Sequence, residues 1–184
     1  MKPIDADEAQ FALENRGQLP DALRVLLAAY PRELWEADSG FSELIRFWLD
    51  RHLMFRRILD ALQTATQQGI DAPGDPLGYA RALSRYGSMF VGELHMHHTV
   101  EDTKFFPVMK TLDMRIAAGF DILDRDHHSI DARLQNFAEM ANVLLQGIQI
   151  GDSAAMAQLG PLLEELNLLE RFLNRHLTDE EELV

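Results

Sequence analysis

The chain has 184 residues, of which 47% are hydrophobic and 26% charged, and its formal net charge is −13. This composition suits one soluble globular domain with a buried core. The negative charge disfavours DNA, RNA or an anionic membrane surface as the main partner, because each would repel the protein. The absence of cysteine excludes disulfides, thiolate zinc sites, cysteine-ligated iron–sulfur clusters and cysteine nucleophiles.

The N-terminal sequence MKPIDADEAQ is acidic and polar, so it does not have the character of a signal peptide. No apolar run in the sequence reaches the length of a transmembrane helix. We therefore expect a soluble, cytoplasmic protein with no nucleic-acid and no membrane partner.

Helical periodicity runs along the chain, and strong strand signals are missing. A short helical extension is predicted at about 20–37, before a break at Ser39-Gly40. The later breaks are Gly69–Pro76, a turn bracketed by Pro107 and Asp113, and Gly151–Ser153. They leave four long helices, predicted at 41–68, 76–109, 114–149 and 153–181. Short connections predict an all-α, up-down-up-down four-helix bundle over 41–184, with 1–40 as an N-terminal helical extension that packs on it.

Each long helix carries an apolar seam in steps of three and four residues, the spacing that keeps side chains on one face. Every seam contains one histidine, and in two seams a glutamate follows the histidine by one turn. These seam residues are His52, His97, Glu101, His127, His176 and Glu180. The predicted seam of the second helix reads Leu83, Tyr86, Phe90, Leu94, His97, Glu101, Phe105 and Val108. The two glutamates stand where aliphatic residues are expected, and a buried carboxylate is costly without a partner.

The four seam histidines are predicted to lie at one level of the bundle. Counted from the turns, at about 1.5 Å rise per residue, their offsets agree to within roughly one helical turn. Four imidazoles and two carboxylates suit iron, manganese or zinc, and the carboxylates could bridge two metals. One metal and two metals both remain open. The alternative is four core histidines that hydrogen-bond to carboxylates or to the backbone.

Two further residues are candidate metal ligands. His98 is one helical step from a seam position, and Asp131 follows His127 by one turn. Residues expected to be surface or flanking groups are His95, His128, Asp102 and Glu181. The acidic run Asp179–Glu182 is expected to form a solvated C-terminal face, with the exception of Glu180.

Four segments resemble the ligand segments of the hemerythrin-like, HHE cation-binding family, in the single-domain type found in bacteria. They are DRHLMFRRILDAL (Asp50–Leu62), HHTVEDTKFFPVM (His97–Met109), RDHHSIDARL (Arg125–Leu134) and RHLTDEEELV (Arg175–Val184). The resemblance implies a four-helix bundle that holds a non-haem, oxygen-bridged centre of two irons. The iron ligands that it implies are His52, His97, Glu101, His127, His176 and Glu180.

The sequence departs from relatives of known type at two positions. Oxygen-carrying hemerythrins have a second histidine one turn after the third-helix histidine, where this chain has Asp131. Iron-sensing relatives place a glutamate directly after the second-helix histidine, where this chain has His98. We expect His98 or Asp131 to complete the site. The ferritin-like di-iron class is disfavoured, because its Glu-x-x-His motif is represented only by Asp124-x-x-His127.

Three functions follow as hypotheses. The first is a non-enzymatic di-iron protein that binds or senses O₂, NO or redox state. The second is a peroxidase- or oxidase-type enzyme at the same centre. The third is an interaction module whose metal status controls a partner, with the amphipathic stretch Leu19–Phe41 as a surface for a homodimer or another protein.

Overall fold

The computed structural model describes residues 9–72 and 74–184, so the first eight residues of the predicted extension and one residue of the predicted Gly69–Pro76 loop lie outside it. Within these ranges the regular structure is helical and no strand occurs. The helices are α1 (Val25–Ala29), α2 (Glu43–Asp71), α3 (Pro76–Val100), α4 (Phe106–Leu112), α5 (Ala117–Gln149) and α6 (Leu159–Glu181). Short 3₁₀ turns lie at Ala9–Phe11, Asp21–Leu23, Arg32–Ala37 and Ala155–Gln158. The predicted all-α bundle with a short N-terminal helical extension is confirmed. None of the helices in the described ranges is both long enough and apolar enough to cross a membrane.

The boundaries of the long helices follow from local capping. Ser42 precedes α2, and its hydroxyl accepts a hydrogen bond from the Ile45 backbone N–H at 3.3 Å. Asp75 precedes α3 and accepts one from the Gly78 backbone N–H at 2.8 Å. Such side chains satisfy N–H groups that have no partner inside the helix. After α5 the chain turns at Gly151, whose φ of 72° suits glycine.

The second long helix contains a wider turn that the sequence pattern did not predict. A π-helical turn over Glu101–Phe105 joins α3 to α4, and the helical chain continues to Leu112. The backbone N–H of Phe106 bonds to the carbonyl of Glu101, five residues earlier. Pro107 follows at once, and proline lacks an N–H and crowds the carbonyl four residues before it. The wider turn gives this proline room inside a helix.

The π turn changes which residues face the core. An extra residue in one turn rotates the following helix by about 100°, the step of one helical residue. Phe106 is therefore buried, at 1% exposure, whereas Phe105 is only partly buried and Val108 is 57% exposed. The prediction of Val108 as a core residue is wrong for this reason, whereas Phe105 is partly buried and packs against the core of unit 1. Tyr86, also predicted in this seam, is exposed.

The described residues divide into two compact units. Unit 1 contains residues 9–53, 98–129 and 172–184, and unit 2 contains residues 54–97 and 130–171. Each unit therefore receives a segment of each of the four long helical stretches.

Unit 1 has an apolar core that includes the N-terminal extension. Its buried members are Leu19, Leu23, Trp48, Phe106, Ile116, Phe120, Ile122, Leu123 and Leu183. A Cβ on Gly119 would lie 2.6 Å from the Cδ1 atom of Leu183, so glycine allows the C-terminal residues to approach α5 closely. Residues from both ends of the chain thus pack on the same core.

Unit 2 has a core of its own. Phe90 on α3 and Phe137 on α5 pack edge to face, with ring centroids 6.5 Å apart. The Thr66 hydroxyl donates to the Leu62 carbonyl at 2.7 Å and lies 3.0 Å from the Tyr79 hydroxyl. The predicted seam residues of this part of α2 are buried: Phe55, Leu59 and Leu62.

Candidate metal centre

Buried ionisable side chains from every long helical stretch converge in unit 1. They are His52 on α2, His98 on α3, Glu101 in the π turn, His127 on α5, and His176 and Glu180 on α6. Ionisable groups are seldom fully buried unless they are paired or bind a metal. Their convergence therefore requires mutual pairing or a cation.

The donor atoms of these side chains form two overlapping groups. In the first group, one donor atom from each of His98, Glu101, His127 and His176 lies within 4.8 Å of the others. In the second group, the same holds for His52, Glu101 and Glu180. A metal that is about 2.1 Å from each donor keeps donors within roughly 4.2 Å of one another, so small side-chain adjustments suffice. Glu101 belongs to both groups.

Three of the histidines present the same ring atom to a carboxylate. In each, Nδ1 lies near a carboxylate oxygen that can accept its proton, which leaves Nε2 as the atom that faces the candidate centre. The pairs are His52 Nδ1 with Glu181 Oε1 at 3.1 Å, His127 Nδ1 with Asp102 Oδ1 at 2.8 Å, and His176 Nδ1 with Asp126 Oδ2 at 3.4 Å. A carboxylate behind Nδ1 is the usual support of a histidine that binds a metal through Nε2.

The Nε2 atoms lie close to one another and to the two glutamates. His127 Nε2 is 3.2 Å from His176 Nε2 and 3.4 Å from Glu101 Oε2. Glu180 Oε2 lies 3.3 Å from His52 Nε2 and 3.7 Å from His176 Nε2. Two imidazole lone pairs at this distance repel unless a proton or a metal cation lies between them. The donor set therefore fits a cation.

The electrostatics of the buried histidines also favour a bound cation. Burial opposes protonation of His127, but the adjacent Asp102 and Glu101 outweigh it and raise its pKa to about 10. Burial also opposes protonation of His52, and the carboxylates of α6 raise its pKa to about 9. Burial lowers the pKa of His176, which faces His127. The site favours positive charge, which protons can supply until a metal displaces them.

Aromatic rings enclose the first group. The His98 ring stacks on the His127 ring with centroids 4.0 Å apart and planes 10° apart. Phe106, which the π turn brings into the core, lies 5.5 Å from the His127 ring on centroids. The Trp48 indole N–H donates to Glu180 Oε1. These contacts hold the donors in place and limit the access of water.

A buried arginine from the N-terminal segment supports the carboxylate behind His176. The Arg16 guanidinium donates to both oxygens of Asp126 and to Asp179 Oδ2, the last at 2.8 Å. Asp179 also accepts a hydrogen bond from the Leu19 backbone N–H at 3.2 Å. Arg16 therefore acts on His176 through Asp126. No pattern in the sequence indicates a buried role for Arg16, because a single arginine outside the helical pattern usually lies at the surface.

Two more arginines of the N-terminal segment contact the C-terminal acidic run. Arg32 donates to Glu181 at 2.8 Å, and Arg24 donates to Glu182 at 2.6 Å. Glu181 in turn supports His52. The expectation of a solvated acidic face over Asp179–Glu182 is wrong, because most of this run is buried against arginines, Trp48 or histidine.

Three of the residues that the sequence singled out lie in unit 2. His97 is the last residue of this unit and is half-buried, with its ring centroid 5.1 Å from that of Phe55. Asp131 is half-buried, and its Oδ2 lies 3.8 Å from Nδ1 of His95, which is exposed. His128, in unit 1, is also exposed, as expected.

Comparison with known protein families gives one match that covers most of the chain. The model of the hemerythrin HHE cation-binding domain matches residues 43–184. Comparisons with curated proteins and with solved structures gave no match. The matched range includes every predicted ligand, whereas Arg16, Arg24 and Arg32 precede it. The chain belongs to the hemerythrin HHE cation-binding domain family.

Proposed function

We propose that the protein holds a non-haem di-iron centre and binds or senses O₂, NO or redox state through it. The observation that carries this proposal is the pair of overlapping donor groups in unit 1, in which three histidines present Nε2 and have a carboxylate behind Nδ1. Imidazole and carboxylate donors suit iron, and the family binds cations.

Two metals are favoured over one because both glutamates can serve both groups. Glu101 is a member of each, and Glu180 Oε2 lies between His52 and His176, which belong to different groups. His97 is the further ligand that we propose for the His52 group, because it precedes Glu101 by four residues in a helical stretch. The proposed ligands are His52, His97, His98, Glu101, His127, His176 and Glu180.

His98 bears on the choice between oxygen binding and other roles. With His98 included, the proposed set has five histidines and two carboxylates, the same count as in the oxygen-carrying relatives. The fifth histidine comes from α3 and not from the α5 position that Asp131 occupies. Two irons in this set would supply one-electron redox chemistry and a coordination position for a diatomic molecule.

The residues around the donors suit a small, uncharged ligand. Phe106 and the stacked His98 and His127 rings limit water, which protects a reduced metal from side reactions. The carboxylates Asp102, Asp126 and Glu181 can hold the Nδ1 protons, which fixes the orientation of the rings.

Metal analysis and optical spectroscopy test the proposal. The protein is made in iron-rich medium, and its metal content is measured by mass spectrometry. We expect about two irons per chain, and near-ultraviolet bands that appear when the reduced protein meets air or NO and that disappear when the gas is removed. Protein with no iron after this preparation would refute the di-iron function.

An oxidase- or peroxidase-type enzyme is the second candidate, favoured by an apolar cavity beside His52 and Glu180. Irreversible spectral change with air, together with peroxide consumption that continues over many turnovers, would support this candidate over reversible binding. The same preparation therefore separates the two functions.

A further inference from the structure

Unit 1 contains a cavity of about 300 Å³ whose lining includes two candidate ligands, His52 and Glu180. The N-terminal segment contributes Leu27, Tyr30 and Trp35 to the lining, and α2 contributes Ile45 and Trp48. Glu181 and Glu182 also line the cavity. The volume is at the lower limit of small-molecule sites in proteins.

The lining is mainly apolar and rich in aromatic rings. Four aromatic side chains face the cavity: Tyr30, Trp35, Phe41 and Trp48. Hydrogen bonds from their indole N–H groups hold two of them in place. The Trp35 indole N–H donates to the Tyr30 carbonyl at 2.7 Å while Arg32 lies 4.8 Å from its ring, and the Trp48 indole N–H donates to Glu180. A pre-ordered aromatic wall reduces the entropy cost of binding a flat ring.

Two of the acidic groups of the lining pair with arginines, and a third accepts a backbone hydrogen bond. Glu181 pairs with Arg32 at 2.8 Å, and Glu182 pairs with Arg24 at 2.6 Å. Asp38 Oδ1 accepts the Gly40 backbone N–H at 2.7 Å. An anionic ligand would lose its hydration and face these carboxylates without gaining a new counter-charge, which is costly in an apolar cavity. The lining therefore selects against anionic ligands.

We propose that this cavity binds an uncharged aromatic compound beside the His52–Glu180 pair. The cavity is too large to serve only a diatomic molecule, and its lining includes two groups that we propose as iron ligands. About half of its wall comes from residues before 43, which the family model does not cover. The proposal does not require bound iron, so its test is separate from that of the di-iron centre.

Both tryptophans of the chain line the cavity, so intrinsic fluorescence reports directly on its occupancy. The full-length, metal-loaded protein is titrated with the uncharged probe N-phenyl-1-naphthylamine. We expect saturable binding of one probe per chain, with quenching of tryptophan and energy transfer to the probe. The sulfonated analogue 8-anilino-1-naphthalenesulfonate, which has the same ring system and a negative charge, should bind at least about tenfold more weakly. Non-saturable binding of the uncharged probe, or equal affinity for the two probes, would overturn the proposal.

A pair of matched variants locates the site. Leu27→Phe with Ile45→Phe fills the cavity, whereas Leu34→Phe with Leu44→Phe adds the same groups at exposed positions outside its lining. We expect the filled variant to bind the probe about tenfold more weakly or worse, and the control to match wild type. Circular dichroism verifies folding, and Ile45→Phe alone replaces the double variant if that one does not fold. Equal probe affinity in a folded filled variant and in the control would refute the assignment.

Metal content measured on the same samples distinguishes this inference from the proposed function. If protein from the iron-rich preparation contains no iron and still binds the probe saturably, the cavity assignment is supported and the di-iron function is refuted. Two irons per chain without saturable probe binding would support the di-iron function and refute the cavity assignment.

Discussion

Arg16 donates from its guanidinium to Asp126, and both side chains are 1% exposed. Asp126 also contacts Nδ1 of His176, so an arginine outside the matched family range is linked to the face of α6 that carries the candidate ligands. Burial opposes ionisation of Asp126, but His176 and Arg16 outweigh it and keep the pKa of this carboxyl below its usual value. The carboxylate is thus held in the form that accepts the proton of His176.

Replacing Arg16 tests this link. Arg16→Met leaves Asp126 buried without its arginine partner, whereas Asp179 keeps Arg175, so we expect a loss of about 3–5 kcal/mol in the free energy of unfolding. We also expect weaker iron retention, because Asp126 no longer fixes His176. Urea denaturation and iron content after dialysis against a chelator measure the two effects. Arg115→Met is the control, since Arg115 pairs with Asp113 at the surface and should leave both quantities unchanged. Wild-type iron retention in folded Arg16→Met would contradict the link.

Two histidines of α3 provide a matched test of the donor set. His98 is buried against His127 and belongs to the first donor group, whereas the side chain of His95 is 67% exposed. His98→Ala should lose at least one iron per chain, because its group then has one imidazole fewer. His95→Ala should keep the wild-type content. Iron content and the near-ultraviolet spectrum of the two variants give the answer, and identical values would exclude His98 as a ligand.

The metal-free protein should become less stable as pH rises above neutrality. The folded pKa values of His52 and His127 are about 9 and about 10, above the value of about 6.5 for an unfolded chain. The two protons therefore contribute stability in full below about pH 6.5, and this contribution is lost as pH rises through 9 and 10. His176 has a lowered pKa and acts with the opposite sign, but its effect is complete above about pH 6.5.

Urea denaturation of metal-free protein at several pH values between 6.5 and 10 measures this trend. We expect the free energy of unfolding to fall across the range, and the apparent affinity for ferrous iron to rise about tenfold per pH unit for each proton that the metal displaces. Asp102→Asn removes a carboxylate that raises the pKa of His127, so its stability should depend less on pH. A pH-independent stability of the metal-free wild type would contradict the assigned protonation.

Periodicity predicts the site well where helices are regular and poorly where they are not. The seams of α5 and α6 keep a constant period, so the burial of His127, His176 and Glu180 follows from the sequence. The pattern on the second helical stretch misplaces Tyr86, which is exposed, and it fails again after Glu101, because the π turn adds a residue. The burial of Asp179 also could not be predicted, since its partner Arg16 comes from a distant, weakly patterned segment.

Phe106 or Pro107 could be the residue that maintains the π turn, and magnitudes favour Phe106. Pro107→Ala restores one backbone N–H, and the hydrogen bond that it could make is worth about 0.5–1.5 kcal/mol. Shifting the register to make that bond would expose Phe106, whose full burial is worth about 1.5–3 kcal/mol. The burial of Phe106 is worth more than the restored hydrogen bond, so Pro107→Ala should keep the π turn and the wild-type iron content.

Phe106→Ala removes this packing and should have the larger effect. We expect a loss of about 3–5 kcal/mol in the free energy of unfolding, the usual cost of truncating a buried phenylalanine. Iron retention should also fall, because Glu101 at the start of the turn and His127 beside the Phe106 ring both lose support. Phe47→Ala is the control, since Phe47 is 62% exposed on α2. Urea denaturation and iron content compare the three variants. Loss of iron in Pro107→Ala together with its retention in Phe106→Ala would assign the turn to the proline.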